Sequence, residues 1–527
     1  MTATSSRIAA FADRWPKLVA LLLGAVSATG FAPLSFWPLT LLAVAGWMAL
    51  VARAPRGRRA FGTGWAFGVG HFALGLNWIA TAFTYQAAMP AWLGWVAVVL
   101  LSLYLAVYPA IAAWGAWMIR PKADTHFAAP SYLLAFAALW ALTEWLRSWI
   151  FTGFAWNPLG VVAVPHVAAP ARWIGTYGMS ALVCLLAAVL ILAWFRRSVA
   201  AAALFGGLLA LWGTAFLAQA GADAAVRSKG AKRTPITVVQ PNVGQQDKWE
   251  GSKADANFAK LARLTAPRDE RPRLILWPEA AIPDYLETGY PSYYYDRAPA
   301  AARGRLTNLM NPGDLMLLGA LKLEFNKTGD AVGARNAVMT VHADGTLGPR
   351  YDKAHLVPYG EYLPMRPILS AIGLSRLAPG DIDFWPGPGP HTLDLGAFGR
   401  AGLQICYEII FSGQVVDRAH RPDFLFNPSN DAWFGAWGPP QHLAQARLRA
   451  IEEGLPVVRA TPTGISAVID ADGHILASIP MHTPGRIDTT LPPPHAPTLF
   501  ARFGNVLPVG FALLLLAAAI AFRRRGR

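Results

Sequence analysis

The stretch GLQICYE, residues 402–408, places a cysteine directly after a run of residues that is typical of a β-strand. Cys406 and Cys184 are the two cysteines of the 527-residue chain. Cys184 lies within a long apolar segment, so we do not expect a disulfide between them. A free cysteine can be a small buried apolar side chain, a metal ligand, or a nucleophile that a neighbouring base activates. This stretch alone leaves the three interpretations open.

The residues around Cys406 predict a layered domain. LDLGAFGRAGLQIC has the pattern of a β-hairpin, and further short β-branched runs are bounded by Gly, Pro, Asn or Asp. Strands that alternate with helices are typical of an α/β architecture. The predicted strands are PITVVQPN, RLILWPE, DLMLLGALKL, RNAVMTVHADG, PDFLFNPSN and GISAVIDADGHILASIP, and the predicted helices are KADANFAKLARLTA and PPQHLAQARLRAIEEG.

The composition indicates a membrane protein. Hydrophobic residues make up 54% of the chain and charged residues 15%, which is too apolar for a soluble protein of this length. Apolar segments near the ~20 residues that a spanning helix needs predict eight spans. They are residues 18–32, 38–52, 61–83, 92–119, 131–150, 174–195, 199–218 and 506–522.

The basic residues predict the orientation of these spans, because positive charges accumulate in cytoplasmic loops. They follow every even-numbered span, so both termini are expected in the cytoplasm and residues 220–500 on the opposite side. The net charge of +15 then requires no nucleic-acid partner. The residues concerned are Arg53, Arg56, Arg58, Arg59, Arg120, Lys122, Arg196, Arg197, Arg523, Arg524, Arg525 and Arg527.

One acidic residue lies inside a predicted span. Glu144 is at membrane depth, where an ionisable side chain is expensive to bury and is therefore a candidate for function. Arg147 follows one helical turn later and is the expected partner. A structural ion pair is the slightly favoured interpretation.

Polar side chains follow three predicted strands and suggest acyl-transfer chemistry. Glu279 follows LILWP, Lys353 and Glu361 lie in YDKAHLVPYGEYLP, and Cys406 is followed by Glu408. A carboxylate can take the thiol proton, an ammonium can stabilise an oxyanion, and a thiolate can attack a carbonyl carbon. Singly, Glu279 could be a helix-cap acid and Lys353 an exposed charge, so the prediction depends on the combination.

Longer motifs resemble the apolipoprotein N-acyltransferase family, whose external domain belongs to the nitrilase, or carbon–nitrogen hydrolase, superfamily. The resemblance covers nearly the whole chain. It implies a polytopic α-helical membrane domain followed by a nitrilase-like αββα sandwich. The motifs are FAPLSFWPL, GWAFGVGHFALGLNWI, EWLRSWIFTGFAW, VVQPNVGQQDKWE, LILWPEAAIP, YDKAHLVPYGEYLP, GLQICYEIIF, NDAWFGAWGPPQHLAQARLRAIEEG and GISAVID.

The resemblance assigns residues and domain limits. It implies a catalytic triad of Glu279, Lys353 and Cys406, and supporting roles for Trp249, Glu361, Tyr407 and Glu408. The expected domains are residues 1–219 with seven spans, 228–495 with the catalytic site, and 500–527 with the last span and a basic tail. The chain departs from the family pattern at Ala155, Leu455 and Pro462, where Pro, Arg and Asn are usual.

The resemblance also implies a ping-pong reaction without a metal or organic cofactor. Cys406 would take the sn-1 acyl chain of a phospholipid, phosphatidylethanolamine, as a thioester. The amine of an S-diacylglyceryl cysteine on an apolipoprotein would then accept it. Glu279 would be the base, and Lys353 and the backbone N–H of Tyr407 the oxyanion donors. The expected enzyme is a monomer of the inner membrane with a periplasmic catalytic domain.

Two other functions are compatible with parts of the sequence. A membrane-tethered amidase or nitrilase acting on a small amide would use the same triad, but it would need only one anchoring span. A transporter or receptor with a degenerate, non-catalytic domain would be expected to lack Glu279, Lys353 or Cys406, and all three are present.

The apolar stretch YLPMRPILSAIGLSRLAPG, residues 362–380, predicts an arm that rests on the membrane. Its prolines and glycines disfavour a long regular helix or strand. Its apolar side chains would enter the acyl region while Arg366 and Arg376 meet lipid phosphates. A buried core segment is the alternative.

Overall fold

The computed structural model of the chain describes residues 10–85, 90–121, 126–229, 234–248, 250–371 and 382–525. The chain divides into two compact units. The first is the helical unit, with residues 1–80, 92–221 and 497–527. The second is the α/β unit, with residues 81–91 and 222–496.

The helical unit consists of apolar helices. Three of them have a proline at their first or second position, where the missing N–H leaves no hydrogen bond unmade and the fixed φ suits a helix. The helices are Pro16–Ala28, Trp37–Arg53, Gly57–Gly75, Leu93–Leu105, Val107–Ile119, Pro130–Arg147, Ala171–Trp194, Ser198–Lys229, Leu499–Phe503 and Val506–Arg525.

Helices lie at all eight positions predicted as spans, but fewer meet the length and hydropathy that a span requires. Within the described ranges four do so, and Gly57–Gly75 with Ile79–Tyr85, a pair bent by 51°, would be a fifth. Pro16–Ala28 has 13 residues. At 1.5 Å per residue it is roughly 20 Å long, short of a ~30 Å hydrocarbon core. The four helices are residues 93–119, 171–194, 198–226 and 506–525. The number of eight spans therefore stays a prediction.

Two glycines allow helices Pro16–Ala28 and Gly57–Gly75 to approach closely. A Cβ atom on Gly24 would lie 1.9 Å from the carbonyl oxygen of Phe67, and one on Gly70 would lie 2.0 Å from that of Leu21. Small residues at such contacts let two helix backbones approach within a membrane, where packing rather than water drives association. This contact therefore depends on the absence of side chains at both glycines.

Glu144 and Arg147 anchor one stretch of backbone inside the helical unit. Glu144 Oε1 accepts the N–H of Leu159 at 2.7 Å, and Arg147 Nη1 donates to the carbonyl oxygen of Trp156 at 2.9 Å. Both side chains are buried. Each thus satisfies a backbone group of the segment that follows their helix, which would otherwise be costly to bury.

We predict that Gly70→Ala destabilises the protein by about 1–3 kcal/mol, because the added methyl group has no space against the Leu21 carbonyl. Gly206→Ala is the matched control, since nothing lies within 4 Å of a Cβ built on that helical glycine. Thermal unfolding in detergent would measure both variants. Equal melting temperatures for the two would contradict the close approach.

The α/β unit contains two six-stranded sheets among the residues described. The first has the order β12-β1-β2-β3-β4-β5 and the second β11-β10-β9-β8-β7-β6. The strands are Pro235–Gln240 (β1), Leu274–Leu276 (β2), Leu315–Phe325 (β3), Ala331–His342 (β4), Tyr351–Asp352 (β5), Thr392–Asp394 (β6), Arg400–Leu403 (β7), Phe424–Pro428 (β8), Val457–Ala460 (β9), Ser466–Ile469 (β10), Ile475–Ile479 (β11) and Gly485–Thr490 (β12).

The two sheets pack against each other through β1, and helices cover their outer faces. Gln240 of β1 accepts hydrogen bonds from the N–H and the hydroxyl of Ser466 in β10. Helices Ala254–Thr265 and Pro299–Thr307 place Leu261 and Leu306 against the first sheet, around the buried Trp277. Helix Gly438–Glu453 packs against β9 of the second sheet. This layering is the predicted αββα sandwich.

Every predicted strand and both predicted helices of this unit are present. GISAVIDADGHILASIP forms two strands, β10 and β11, and the hairpin before Cys406 forms β6 and β7. The prediction omitted β5, β9 and β12, as well as helix Pro299–Thr307. β5 has two residues and β9 four, too short for a recognisable alternation.

Candidate active site

Parallel pairing brings two of the predicted site residues to carboxyl ends of strands. β2 pairs in parallel with β1 and β3, and Glu279 follows its last residue by three positions. β7 pairs in parallel with β8, and Cys406 follows β7 at the same interval. Strand ends of this kind present side chains outside the sheet, where hydrogen-bonding groups of neighbouring loops can converge on them.

Cys406 sits at a sharp change of backbone direction. It is the first residue of the 3₁₀ helix Cys406–Ile410, and its φ of 50° lies in the left-handed region that non-glycine residues rarely adopt. The residue is 4% exposed. Such strain at a buried thiol is more typical of a functional site than of a core cysteine.

Glu279 is held by hydrogen bonds to both carboxylate oxygens. Oε1 accepts from Asn336 Nδ2 at 2.6 Å, and Oε2 accepts from the backbone N–H of Asn430, also at 2.6 Å. Lys248 Nζ donates to its backbone carbonyl at 2.9 Å. The carboxylate is thereby fixed in one orientation.

Lys353 lies between two carboxylates. Its Nζ is 3.0 Å from Glu361 Oε1 and 3.8 Å from Glu279 Oε1, and it is 1% exposed. Burial lowers the pKa of the ammonium, but the charges of Glu361 and Glu279 outweigh burial and raise it above its usual value. Lys353 therefore remains a cation at neutral pH.

The Cys406 thiol is neutral at rest. Burial, and after it the charge of Glu279, raise the pKa of the thiol well above its usual range. The charge of Lys353 acts in the opposite direction. A thiol in this state becomes nucleophilic when a base removes its proton during the reaction.

Glu408 ties the loop after Lys353 to the turn that carries Cys406. Its Oε1 accepts the N–H groups of Ala354 at 2.8 Å and His355 at 3.0 Å, and its Oε2 accepts that of Ile405 at 2.7 Å. The Tyr351 hydroxyl also donates to it. Burial raises the pKa of Glu408 to about 7, although the backbone hydrogen bonds lower it. Its side chain thus braces two elements of the site.

Comparison with known proteins decides the family. Residues 23–189 match the model of the apolipoprotein N-acyltransferase N-terminal domain, and residues 236–495 match that of carbon-nitrogen hydrolases. An apolipoprotein N-acyltransferase of Rhodopseudomonas palustris is 34% identical over 97% of this chain and 96% of its own length. The chain belongs to the apolipoprotein N-acyltransferase family.

A second relative agrees. The apolipoprotein N-acyltransferase of Brucella melitensis is 36% identical over 87% of this chain and 84% of its own length. These relatives and the two matching domain models indicate that the protein is a membrane acyltransferase that N-acylates lipoproteins. This excludes the small-amide amidase and the non-catalytic transporter or receptor. Among solved structures, Nit3 of Saccharomyces cerevisiae, of the nitrilase superfamily, covers 53% of this chain and 95% of its own with a TM-score of 0.33 and 19% identity.

The structure brings three of the predicted site residues into contact. Glu279, Lys353 and Glu361 meet directly, and the charges of Glu279 and Lys353 act on Cys406. The Tyr407 ring packs edge-on against Phe411, and Tyr407 is the second residue of the 3₁₀ helix. Trp249 lies outside the described residues.

The structure also locates the departures from the family pattern and part of the predicted arm. Ala155 and Leu455 are buried, and beside Pro462 the Thr461 N–H donates to Ser466 Oγ at 2.9 Å. In the predicted arm, Met365 and Ile368 are exposed. Arg366 forms an ion pair with Asp383. Residues 372–381, with Arg376, lie outside the described ranges.

Sequence reasoning missed Asn336, Asn430 and Lys248. Asn336 donates to both Glu279 and Glu361, at 2.6 Å and 3.0 Å. The sequence feature that could have identified Asn336 is its amide at the start of the apolar run NAVMTV, because a buried polar side chain needs hydrogen-bond partners. Asn430 directly follows β8, as Glu279 follows β2, so the same strand-end argument would have found it.

We predict that Glu279→Gln and Lys353→Met shift the pH dependence of Cys406 alkylation in opposite directions. Glu279 raises the pKa of the thiol, so its loss moves the alkylation midpoint to lower pH. Lys353 lowers that pKa, so its loss moves the midpoint to higher pH. Iodoacetamide labelling in a Cys184→Ala background measures Cys406 alone.

Both variants should nevertheless lose lipoprotein acylation by about 100-fold or more, because the sequence predicts Glu279 as the base and Lys353 as an oxyanion donor. Midpoints that move in the same direction would contradict the assigned charges.

Proposed function

We propose that Glu279, Lys353 and Cys406 are the catalytic triad of lipoprotein N-acylation. The observation that carries this proposal is the buried Lys353 ammonium beside Glu279, with both charges acting on the Cys406 thiol. Glu361 supports the cation and Glu408 the nucleophile turn. Trp249 and Tyr407 complete the proposed site.

In the first half-reaction Glu279 takes the thiol proton and the thiolate attacks the sn-1 ester carbonyl of a phospholipid, which we propose is phosphatidylethanolamine. The Lys353 ammonium and the Tyr407 N–H stabilise the oxyanion. As the carbon–oxygen bond breaks, Glu279 returns its proton to the departing alkoxide. The products are an acyl thioester on Cys406 and a lysophospholipid.

In the second half-reaction the amine of an S-diacylglyceryl cysteine attacks the thioester, and Glu279 takes a proton from that nitrogen. The carbon–sulfur bond then breaks and releases the Cys406 thiolate, which is protonated again. The order fits a single base that works in both directions. No step requires a metal or an organic cofactor.

The setting that this chemistry requires completes the proposal. Both substrates are lipids, so we place residues 1–219 and 500–527 in the inner membrane with eight spans, and residues 228–495 in the periplasm. Both termini are then cytoplasmic, which agrees with the basic residues after the even-numbered spans. We propose that the enzyme acts as a monomer.

Mass spectrometry of the purified protein after incubation with phosphatidylethanolamine alone tests the nucleophile. We expect an acyl adduct on Cys406 and none in Cys406→Ala or Cys406→Ser. The serine hydroxyl has a far higher pKa than a thiol, so Glu279 is too weak a base to deprotonate it. Cys184→Ala is the matched control and should keep the adduct, since Cys184 is buried in the helical unit. An undiminished adduct in Cys406→Ala would end the proposal.

The exposed side chains of the arm are proposed to admit the lipid. Met365 and Ile368 are 64% and 63% exposed, and exposed apolar groups near a lipid-processing site suit contact with a membrane. We predict that the double change Met365→Ser and Ile368→Ser slows thioester formation from vesicle phospholipid. It should spare the reaction with a short, water-soluble activated ester.

Leu476→Ser is the control for the loss of an exposed apolar group, since Leu476 is 58% exposed on β11. If both acyl donors lost activity in parallel, the arm would have no specific role in lipid supply.

A further inference from the structure

The carbonyl group of Cys406 is held from two sides. His442 Nε2 lies 3.1 Å from this oxygen, and Asn427 Nδ2 donates to it at 3.3 Å. A carbonyl oxygen only accepts, so the contact with His442 requires a proton on Nε2. Because Cys406 has a strained φ of 50°, its peptide orientation must be imposed by surrounding groups. These two donors are placed to impose it.

His442 is oriented by a buried carboxylate. It lies near the start of helix Gly438–Glu453, and its Nδ1 is 2.9 Å from Asp431 Oδ1. A carboxylate oxygen only accepts, so the contacts with Asp431 and with the Cys406 carbonyl are both hydrogen bonds in the imidazolium form, in which each ring nitrogen carries a proton. Asp431 favours that form, whereas burial and the charge of Arg459 lower the pKa of His442. The other carboxylate oxygen of Asp431 accepts from Arg459 Nη2 at 2.9 Å. All three side chains are fully or almost fully buried. The imidazole ring therefore has little freedom to turn away from Cys406.

The contacts form a closed ring. Arg459 Nη1 donates to Asn427 Oδ1, which leaves the amide nitrogen of Asn427 facing the Cys406 and Gln404 carbonyl oxygens. The ring thus runs from the Cys406 carbonyl through His442, Asp431, Arg459 and Asn427 back to the same oxygen. Every link joins buried groups, so a change in one member is felt by the others.

The same ring adjoins the proposed base. Asp431 directly follows Asn430, whose N–H binds Glu279 Oε2 at 2.6 Å. The backbone that positions the carboxylate and the carbonyl that positions the thiol are therefore supported by one network. Reacting groups misplaced by even 1 Å can lose about 100-fold in rate.

We propose that His442 is a positioning residue for the nucleophile. It donates Nε2–H to the Cys406 carbonyl and is itself oriented by Asp431 and Arg459. The inference goes beyond the triad and depends on the proposed role of Cys406. The expected consequence of losing the Nε2–H donor is slower thioester formation, with phospholipid binding retained.

Two substitutions with the same amide group separate this role from simple packing. His442→Gln places a side-chain N–H at the distance of Nε2, so it can still donate to the Cys406 carbonyl. His442→Asn is one methylene shorter; its amide reaches the position of Nδ1 beside Asp431 but not the carbonyl. Thermal unfolding in detergent checks that the variants fold.

With phosphatidylethanolamine as the donor, we expect the maximal rate constant for adduct formation to fall about 100-fold in His442→Asn and less than about 10-fold in His442→Gln. The phospholipid concentration that gives half of this rate should be unchanged in both. Equal rate constants for the two variants, or a change confined to this concentration, would overturn the inference. So would an Asn variant that fails to fold while the Gln variant folds, because His442 would then be structural. Failure of the nucleophile assignment is distinct, since Cys406→Ala would then still form the adduct.

Discussion

One buried cation organises the candidate site. Glu279 and Glu361 each lie within 4 Å of the Lys353 ammonium, whose charge compensates the two buried carboxylates. Asn336 donates to both of them, so the acceptors that Lys353 leaves open are satisfied by a neutral group. The same charge favours a thiolate on Cys406. Removing Lys353 would therefore disturb Glu279, Glu361 and Cys406 together.

The nucleophile depends on a second constraint, which is the shape of its backbone. Cys406 occupies a left-handed conformation, and Glu408 fixes the adjoining Ile405 N–H while accepting from Ala354 and His355. The Glu408 carboxylate thus couples the loop after Lys353 to the turn that carries Cys406. Strain of this kind costs about 1–3 kcal/mol, which the surrounding hydrogen bonds must offset.

Much of the α/β unit could be predicted because most of its strands lie in apolar runs that contain β-branched residues and are bounded by Gly, Pro, Asn or Asp. The amide ladders that those runs form then decide which side chains reach the strand ends. The prediction missed the two-residue β5, the four-residue β9 and the six-residue β12. A strand of two to four residues shows no period by itself. In the helical unit, position was predictable from hydropathy, but the number of spans was not. A 13-residue helix such as Pro16–Ala28 is apolar but too short to show whether it crosses the membrane.

The sequence by itself determined the family and the membrane character, and it predicted Glu279, Lys353, Glu361 and Cys406 as site residues, because these features depend on residue type and local spacing. It did not determine the partners of those residues. Asn336, Asn430 and His442 reach the site from distant parts of the chain, and local spacing names no partner for any of them, although Asn430 follows a strand end. Asn336 is brought in by the antiparallel pairing of β4 with β3, Asn430 by the parallel pairing of β8 with β7, and His442 by the packing of helix Gly438–Glu453. The tertiary structure therefore decided the orientation of Glu279 and of Cys406, since both depend on contacts between residues far apart in sequence.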